Sequence, residues 1–547
     1  MLFLCSYFRS MLRNKSKVFK YLLGFILLMS CANRGSPTGG IKDIIPPQIL
    51  RTIPENYSVN FDAKEIRIYF NEYVKFKDLN KQLIISPPME NTPEITPLGL
   101  PQKYVSVKIL DTLKPNTTYA INFGTSIVDN NEGNPLSYFR YVFSTGNVID
   151  SLSLKGYVKD ALERKADDFV SVMLYEIDSA YTDSVVFKSK PRYVTNTLDS
   201  VTEFNIQNIK SGTYQLIALK EESQNFTYQP RTDKIAYIKQ LVSLPKDTSM
   251  NYELQLFKRD LDNQLLKPFV VSSNKIGLGF EGNPNFDSLK VESFGDKIEK
   301  YKLTKSADSD TIFYWFKSQK LIDSLEFQVP VKNGYKSYII RTRDIDNDSL
   351  KISSKPSGVI NFNDQFKIVS NNPLIKIDSK KFFLMDKDSL DVNFEIIEDE
   401  FNSNLELALN LEQSQRYSLR LLPGALIDLF GEQNDTLNFS FRTKTFDDYG
   451  SARINVFNTE YPIIIQLTNE SGDVKYSKYL TQSNPIDFNA IDAGVYYLRV
   501  IQDTNVNGKW DSGHFINKKQ PEKVSYFSDK LEVRAGWELI YDFTLQD

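Results

Sequence analysis

The sequence predicts an all-β protein built from several small sandwich domains, and three observations support this. Aromatic residues make up 13% of the 547 residues, with 30 Tyr and 37 Phe, and such side chains are enriched in strands. Short runs such as 66–70 (IRIYF) and 105–109 (VSVKI) alternate with the period of two that is typical of half-buried strands. Clusters of Asn, Asp, Gly and Pro separate these runs, and no long segment keeps the 3.6-residue period of a helix.

The composition argues against several classes of function. The net charge is -3, which gives no electrostatic preference for nucleic acid. His514 is the single His, so neither a Ser-His-Asp or Cys-His catalytic site nor a zinc site with several His ligands is expected. Cys5 and Cys31 are the two Cys, so no disulfide is expected in the body of the chain. At roughly 150 residues per domain, the length predicts about three to five domains.

Residues 1–30 have the features of a secretory signal peptide. A basic segment at 13–20 precedes an apolar run at 21–29. This run is too short to cross about 30 Å of hydrocarbon as a helix, but it fits the apolar region of a signal peptide. It is followed by Ser30 and Cys31, and the segment 28–31 (LMSC) resembles the lipobox of bacterial lipoproteins, whose Cys is diacylated and becomes the first residue. The alternative is a signal peptide without lipidation.

The lipoprotein resemblance implies a location. Several buried acyl chains anchor a protein stably to a bilayer, and Ala32 in place of Asp implies sorting to the outer membrane. Surface-exported lipoproteins of Bacteroidota carry an acidic cluster directly after the Cys, whereas residues 32–36 (ANRGS) contain no acid. The periplasmic leaflet is therefore favoured over the cell surface. Residues 31–46, which are rich in Gly, Ser and Pro, are predicted to form a flexible tether.

Residues 47–147 carry an ordered set of short motifs. The 66–70 strand is followed by the turn 113–116 (LKPN) and Tyr119, and the polar run 128–134 (VDNNEGN) precedes 143–145 (FST). In this order the motifs resemble the bacterial Ig-like domain first described in surface-layer proteins, which implies a β-sandwich. A second, diverged copy is predicted at 356–446, because five residues recur in the same order, with Tyr119, Asp129, Gly133, Phe143 and Thr145 matched by Tyr417, Asp428, Gly431, Phe441 and Thr443.

Another module is repeated with an offset of 282 residues. The segment 209–216 (IKSGTYQL) aligns with 491–498 (IDAGVYYL), and further along 233–237 (DKIAY) matches 522–526 (EKVSY). These segments resemble the transthyretin-like, carboxypeptidase-regulatory-like β-sandwich, which predicts such modules at 150–260 and 447–547. Residues 262–355 are predicted to form a β module without a family resemblance. The tandem arrangement predicts an elongated, multi-domain rod.

One glycine motif has the spacing of a nucleotide-binding loop, but the residues after it favour a strand. Residues 277–282 (GLGFEG) fit the pattern G-x-G-x-x-G. A dinucleotide site needs a helix directly after this loop, but Asn283 and Pro284 begin a turn there. The sequence therefore predicts a strand that contains glycines.

The segment 503–511 (DTNVNGKWD) suggests a calcium site. Asp503, Asn505, Asn507 and Asp511 have the spacing of oxygen ligands in an EF-hand-type loop, with Gly at the sixth position. His514 occupies the twelfth position, where such a loop has a bidentate acid. The alternative is therefore a polar hairpin tip that binds no metal. Calcium is the only cofactor that the sequence suggests.

A recurring triplet, Asp followed by Ser or Thr and an aliphatic residue, resembles the O-glycosylation site of exported Bacteroidota proteins. Attached glycans would be bulky and confined to the surface. The alternative is that Asp-Ser is a loop dipeptide that precedes strands. The hydroxyl residues of the triplets are Thr112, Ser151, Ser179, Ser184, Ser200, Ser288, Thr311, Ser324, Ser349, Ser389 and Thr436.

Three classes of function remain. The favoured one is a non-enzymatic cell-envelope lipoprotein that is a structural or interaction module, such as an accessory subunit of an outer-membrane protein assembly or transport machine. It would contact other envelope proteins, and no nucleic acid, through sheet edges and loops. The second is a carbohydrate-binding envelope protein, in which Trp315, Trp510 or Trp537 would stack on a glycan. The third is the accessory region of a hydrolase, although no segment has the pattern of a catalytic domain.

The lipobox makes the first testable prediction. A palmitate analogue supplied to the expressing cells should label the wild-type chain, and Cys31→Ala should abolish both the label and membrane retention, because no other side chain would carry the acyl chains. Cys5→Ala is the matched control and should behave as wild type. An unlabelled wild-type chain, or a Cys31→Ala chain that stays equally membrane-bound, would contradict the assignment.

Overall fold

The structure is a computed structural model, and it describes residues 42–545 except 198–200, 295, 307, 321, 332–333, 344–348 and 400–403. The described residues form 41 strands, one short α-helix, α1 (Leu79–Gln82), and four 3₁₀ turns. The predicted all-β class with tandem sandwiches is confirmed. We name the successive groups of strands module 1 (49–144), module 2 (152–256), module 3 (264–341), module 4 (352–442) and module 5 (449–544).

Module 1 is a sandwich of two sheets around its own core. Its strands are β1 (Ile49–Ile53), β2 (Glu65–Phe76), β3 (Ile84–Ser86), β4 (Glu94–Thr96), β5 (Gln102–Lys108), β6 (Thr118–Asn122), β7 (Ile127–Asp129) and β8 (Arg140–Ser144). One sheet has the order β1-β2-β5-β4, with β7 paired to β2, and the other has the order β3-β6-β8. Alternate side chains of β2, namely Ile66, Ile68 and Phe70, point into the core between the sheets.

Module 2 has one sheet that is apolar on both faces. Its strands are β9 (Leu152–Asp160), β10 (Ser171–Glu176), β11 (Tyr193–Asn196), β12 (Glu203–Ile209), β13 (Gly212–Lys220), β14 (Lys234–Tyr237), β15 (Val242–Leu244) and β16 (Asn251–Leu256). The sheets have the orders β12-β9-β16 and β11-β10-β13-β14, and β15 pairs with β13. Val172 and Leu174 of β10 face the core of the module, whereas Met173 and Tyr175 lie in a second apolar cluster on the outer face.

Module 3 is the smallest sandwich. Its strands are β17 (Gln264–Ser272), β18 (Lys275–Glu281), β19 (Lys290–Phe294), β20 (Lys300–Lys305), β21 (Thr311–Lys317), β22 (Ser324–Val331) and β23 (Gly334–Arg341). The sheets have the orders β17-β18-β21-β20 and β19-β22-β23. Gly277 and Gly279 lie within β18, and a Cβ on Gly277 would meet Cε2 of Phe269 at 2.6 Å. Gly277 therefore makes room for a neighbouring ring, and both glycines lie in a strand, as the sequence predicts.

Module 4 repeats the topology of module 1. Its strands are β24 (Ile352–Lys355), β25 (Gly358–Val359), β26 (Phe366–Ser370), β27 (Leu374–Ile377), β28 (Phe382–Met385), β29 (Glu395–Glu398), β30 (Asn404–Ala408), β31 (Arg416–Leu421), β32 (Leu426–Asp428) and β33 (Leu437–Arg442). The order β24-β26-β30-β29 corresponds to β1-β2-β5-β4, and β28-β31-β33 corresponds to β3-β6-β8. Because β24 pairs with β26, module 4 begins before residue 356, the boundary that the sequence predicted.

Module 5 repeats the topology of module 2. Its strands are β34 (Tyr449–Phe457), β35 (Ile463–Thr468), β36 (Val474–Leu480), β37 (Ile486–Asp492), β38 (Gly494–Gln502), β39 (Val524–Tyr526), β40 (Leu531–Val533) and β41 (Glu538–Thr544). The sheets have the orders β37-β34-β41 and β36-β35-β38-β39, and β40 pairs with β38. In both modules the last strand runs parallel to the first, as β16 does to β9 and β41 does to β34.

The matched tyrosines of modules 1 and 4 make the same contact. The hydroxyl oxygen of Tyr119 accepts a hydrogen bond from the backbone N–H of Lys114 at 3.0 Å, and that of Tyr417 accepts one from Glu412 at 2.8 Å. Each ring stacks on the phenylalanine that the sequence paired with it, with centroids 5.4 Å apart in module 1 and 5.1 Å in module 4. The hydrogen bond therefore fixes the turn before the strand in both copies.

The modules contact one another in a closed circuit. Successive modules are joined by polar contacts: Arg231 Nε to Glu281 Oε1 (2.8 Å) between modules 2 and 3, Lys317 Nζ to the carbonyl of Phe430 (2.9 Å) between modules 3 and 4, and Asn361 Nδ2 to Asp492 Oδ2 (2.9 Å) between modules 4 and 5. Module 5 then contacts module 2, for example through Lys518 Nζ and Asp183 Oδ1 at 2.7 Å. Module 1 is joined to module 2, where the N–H of Val194 donates to Ser86 Oγ at 3.1 Å.

The repeated tyrosine contact gives the second prediction. Tyr119→Phe should destabilise module 1, and Tyr417→Phe module 4, by about 1 kcal/mol each, because a partly buried N–H loses its acceptor while the ring packing stays. Hydrogen exchange read by mass spectrometry should show faster exchange in the module that carries the substitution. Tyr73→Phe, at a 56% exposed position of module 1, is the control. Equal exchange in Tyr119→Phe, Tyr417→Phe and wild type would refute the role of the hydroxyl.

Candidate functional sites

The predicted lipidation site, Cys31, lies outside the described residues, as do the signal peptide and most of the tether. Among the residues that the structure describes, no helix is long and apolar enough to cross a membrane. Membrane attachment through Cys31 thus stays a prediction from the sequence.

Asp503 organises the loop that follows β38. The side chain is 1% exposed, and its oxygens accept hydrogen bonds from the backbone N–H groups of Gly508 at 2.7 Å and Asn507 at 3.1 Å. Burial by itself raises the pKa of the carboxyl, but these N–H groups outweigh burial and hold the pKa of Asp503 below its ordinary value. The stabilisation from this carboxylate is present at neutral pH and is lost as the pH falls through the lowered pKa.

The other three predicted calcium ligands converge. Nδ2 of Asn505 and Nδ2 of Asn507 both donate to Oδ2 of Asp511, the latter at 3.2 Å. Lys519 Nζ lies 3.6 Å from the same oxygen. A 180° rotation of either amide would exchange its nitrogen for its oxygen, which would turn this cluster from a hydrogen-bonded tip into a set of oxygen ligands. The calcium site and the metal-free hairpin tip therefore use the same three side chains.

A buried carboxylate closes this loop from the far end. Glu522 is 5% exposed; its Oε1 accepts from the N–H of Thr504 at 2.7 Å, and its Oε2 accepts from the N–H of Asp511 at 3.0 Å. In module 2 the position of Asp503 is taken by Glu221, which accepts from the N–H groups of Asn225 and Phe226. Burial raises the pKa of Glu221, and these N–H groups offset it only partly.

The segment 510–520 docks module 5 on the outer apolar face of module 2. Phe515 is 2% exposed, and its ring meets the ring of Tyr237 edge-on with centroids 5.1 Å apart. Gly513 lies against Phe257, since a Cβ at this position would meet the ring carbons at 2.6 to 2.8 Å. Trp510 packs on the same cluster. We call this segment the docking segment.

Polar contacts surround the docked aromatic residues. Ser512 Oγ donates to the carbonyl of Lys258 at 2.5 Å, and Gln520 Nε2 donates to the carbonyl of Tyr237 at 2.9 Å. His514 belongs to the same segment, and its Nδ1 accepts from the N–H of Asn517 at 3.2 Å. Burial, together with the charge of Arg259, lowers the pKa of His514.

A second contact between modules 2 and 5 lies beside the docking segment. The hydroxyl of Tyr526 donates to the carbonyl of Leu162 at 3.0 Å, and a guanidinium nitrogen of Arg499 lies 3.4 Å from the same oxygen. The guanidinium of Arg164 lies over the ring of Tyr497, 4.2 Å from its centroid. Arg499 is 4% exposed, so this contact is buried rather than a surface ion pair.

The loop length is the signal that could have identified the docking segment. The offset between the two copies is 282 residues before this loop and 289 after it, so the module 5 loop is seven residues longer. The calcium spacing alone does not reveal that this longer loop also holds Phe515, an apolar side chain that needs a partner surface.

The hydroxyl residues of the predicted glycosylation triplets occupy different environments. Thr112, Ser151, Ser179, Ser184, Ser349, Ser389 and Thr436 are exposed, whereas Ser288 and Thr311 are partly buried. Ser324 is 8% exposed and opens β22, so a bulky glycan has no room there in the folded module. Ser200 lies outside the described residues. Thr311 and Ser324 begin strands and Ser151 and Thr436 directly precede them, which agrees with the loop-dipeptide alternative.

The three tryptophans have different roles. Trp315 is 6% exposed, and its Nε1 donates to Thr304 Oγ1 at 2.8 Å. Trp510 is in the docking segment, and its Nε1 donates to the carbonyl of Glu522 at 3.1 Å. Trp537 is 47% exposed and lies under the guanidinium of Arg534. Of the predicted stacking residues, Trp315 and Trp510 are therefore committed to packing.

Comparison with known families identifies one part of the chain. Residues 43–145 match the family described as bacterial Ig-like domain, which confirms the resemblance for module 1. The comparison with curated proteins gives no match.

Several solved structures of multi-domain proteins are similar over most of the chain. Surface-layer protein SbsC, domains 1–6, is 9% identical and covers 89% of this chain and 67% of its own, with a TM-score of 0.15. The N-terminal eight Ig domains of Down syndrome cell adhesion molecule are 10% identical over 89% and 69%, with a TM-score of 0.14. The Bacillus anthracis TIE protein is 10% identical over 93% and 76%, with a TM-score of 0.13. Superpositions this loose support no functional inference.

The converging side chains of the module 5 loop give the third prediction. If calcium binds there, a calorimetric titration of the full-length chain should show heat at millimolar calcium or below. Asp511→Asn should weaken binding, because it removes the charge on which Asn505 and Asn507 converge. Asp529→Asn, outside the loop, is the control. Absence of heat at millimolar calcium would reject the site.

The docking segment gives the fourth prediction. Phe515→Ala should lower the free energy of unfolding of the docked state by about 3 kcal/mol, since it removes a buried ring from a packed cluster. Ile516→Ala, at a 41% exposed neighbouring position, should change it by less than about 0.5 kcal/mol. Hydrogen exchange should accelerate in the outer face of module 2 only for Phe515→Ala. Equal exchange in the two variants would contradict the docking.

Proposed function

We propose that this chain is a non-enzymatic, lipid-anchored protein of the cell envelope that acts as a scaffold for other envelope proteins. The observation that carries the proposal is the docking of module 5 on module 2. It fixes four modules relative to one another without a disulfide, and a scaffold needs fixed geometry between its binding surfaces. The Ig-like identity of module 1 is compatible with such a role but names no partner.

The sequence supplies the location in this proposal. Cys31 would carry the acyl chains and Ala32 favours the outer membrane. Residues 32–36 lack the acidic cluster of surface-exported Bacteroidota lipoproteins, which favours the periplasmic leaflet. The 31–46 tether would separate module 1 from the bilayer. Modules 2 and 5 would be sandwiches of the transthyretin-like kind. To distinguish the two leaflets, intact cells that express the wild-type chain or Cys31→Ala would be treated with a membrane-impermeant label. A wild-type chain on the cell surface would be labelled, and one on the periplasmic leaflet would be protected.

The free edge of module 3 is the surface that we propose for partner contact. Strand β23 is at the end of its sheet, and Tyr335 and Ile339 on its outward side are 48% and 66% exposed. An exposed edge with apolar side chains can accept a strand from another protein. In this role the chain would be an accessory subunit of an outer-membrane assembly or transport machine.

The test compares two matched variants in the native membrane. Proteins cross-linked to the full-length chain would be purified from detergent-solubilised membranes and quantified. Ile339→Lys should lose a stoichiometric partner, while Ile540→Lys, at a 70% exposed position of module 5, should keep it. A wild-type chain that is recovered without any stoichiometric partner would overturn the scaffold proposal, and equal recovery from both variants would overturn the choice of edge.

Glycosylation at the exposed triplets is part of the same proposal. Seven of the predicted hydroxyl residues are exposed, so the folded modules leave room for glycans there. The intact mass of the native protein tests this. A mass equal to polypeptide plus lipid would remove the modification from the proposal.

A further inference from the structure

Module 3 contains a cleft with an aromatic floor. The cleft has a volume of about 770 Å³, and its lining includes the turn at 283–287 and the inner face of β20. Tyr301 belongs to β20 and is 63% exposed although its side chain lies on the inner side of its sheet. The ring stacks on Tyr314 with centroids 5.3 Å apart and an interplanar angle of 15°. The Tyr301 ring is therefore held by Tyr314 and lines the cleft while most of its surface stays exposed.

The remaining lining offers hydrogen-bonding groups around this ring. Asn283, Asn285 and Asp287 line the cleft on the turn, and Lys302 and Lys305 line it on β20. Asn285 uses its Oδ1 to accept from the N–H of Asp287 at 3.0 Å, which leaves its Nδ2 as a donor. Lys305 Nζ lies 4.9 Å from the centroid of Phe280. The cleft thus combines a rigid aromatic surface with amide, carboxylate and ammonium groups at its rim.

We infer that this cleft is a binding site for a saccharide. A pyranose ring is amphipathic: its axial C–H bonds form an apolar face that stacks on an aromatic ring, and its hydroxyls project at the rim, where amides and carboxylates bind them. The stacked tyrosine loses little rotamer freedom on binding, because Tyr314 already holds it.

The same lining disfavours an added peptide strand as the occupant. Strand addition requires a free edge with apolar side chains at alternate positions. β20 carries Lys300, Lys302 and Lys305, and lysines on an edge strand oppose pairing with another chain. The saccharide site depends neither on the lipid anchor nor on the partner surface on β23, so each of these proposals can fail while the others stand.

The experiment begins with a glycan array that holds neutral and uronic-acid oligosaccharides, probed with the full-length, detergent-solubilised chain. The best-bound oligosaccharide is then titrated by calorimetry into wild type and variants. Tyr301→Ala should weaken binding about tenfold or more, whereas Tyr301→Phe, which keeps the stacking face, should stay within about threefold. Phe294→Ala, at a 46% exposed position of the same module outside the cleft, should bind as wild type.

Three outcomes would overturn the inference. The first is a wild-type chain that binds no glycan on the array. The second is binding that survives Tyr301→Ala unchanged, and the third is binding that Tyr301→Ala and Phe294→Ala weaken equally.

Discussion

The outer face of the module 2 sheet is the constraint on which the arrangement of modules depends. Strands β10 and β13 carry apolar side chains on both faces. If the outer face of this sheet were exposed to water, the stabilisation from burying that apolar surface would be lost. Module 1 covers part of the face with Ile84, and module 5 covers another part with Phe515. The sandwiches of this chain therefore depend on their neighbours at this one sheet, although each has its own core.

The two copies of the repeated sandwich show how a duplicated fold acquires a new contact. In both, an acid after the long strand organises the following loop through backbone N–H groups: Asp503, which is buried, in module 5 and Glu221, which is partly buried, in module 2. In module 2 the loop folds back over its own sheet, where Tyr228 joins the outer cluster. In module 5 the loop is seven residues longer and packs on module 2 instead. The contact thus accompanies a longer loop in an unchanged topology.

Most of the fold could be predicted from the sequence, because strand alternation and recurring turn residues are local signals. The pairs Tyr119 and Tyr417, and Asp129 and Asp428, recur because they satisfy backbone groups inside one module; Asp129 accepts from Gly133 and Asp428 from Glu432. The predicted start of module 4 at residue 356 was wrong, because β24 pairs with β26 and belongs to the module. This half of module 4 has the topology of module 1 but not its recurring residues, so the sequence did not reveal β24. The circuit of modules could not be predicted, because contacts such as Lys518 with Asp183 join residues with no pattern in common. The Tyr301 cleft was missed because a tyrosine in an alternating strand indicates core packing.

Zero-length carbodiimide coupling of the full-length chain, followed by mass spectrometry of the peptides, tests the docking most directly. Lys518 Nζ and Asp183 Oδ1 are 2.7 Å apart across modules 5 and 2, and Lys159 Nζ and Glu253 Oε2 are 3.0 Å apart within module 2. An amide cross-link is expected at both pairs. A cross-link at Lys159 and Glu253 without one at Lys518 and Asp183 would show that module 5 does not dock on module 2 in solution.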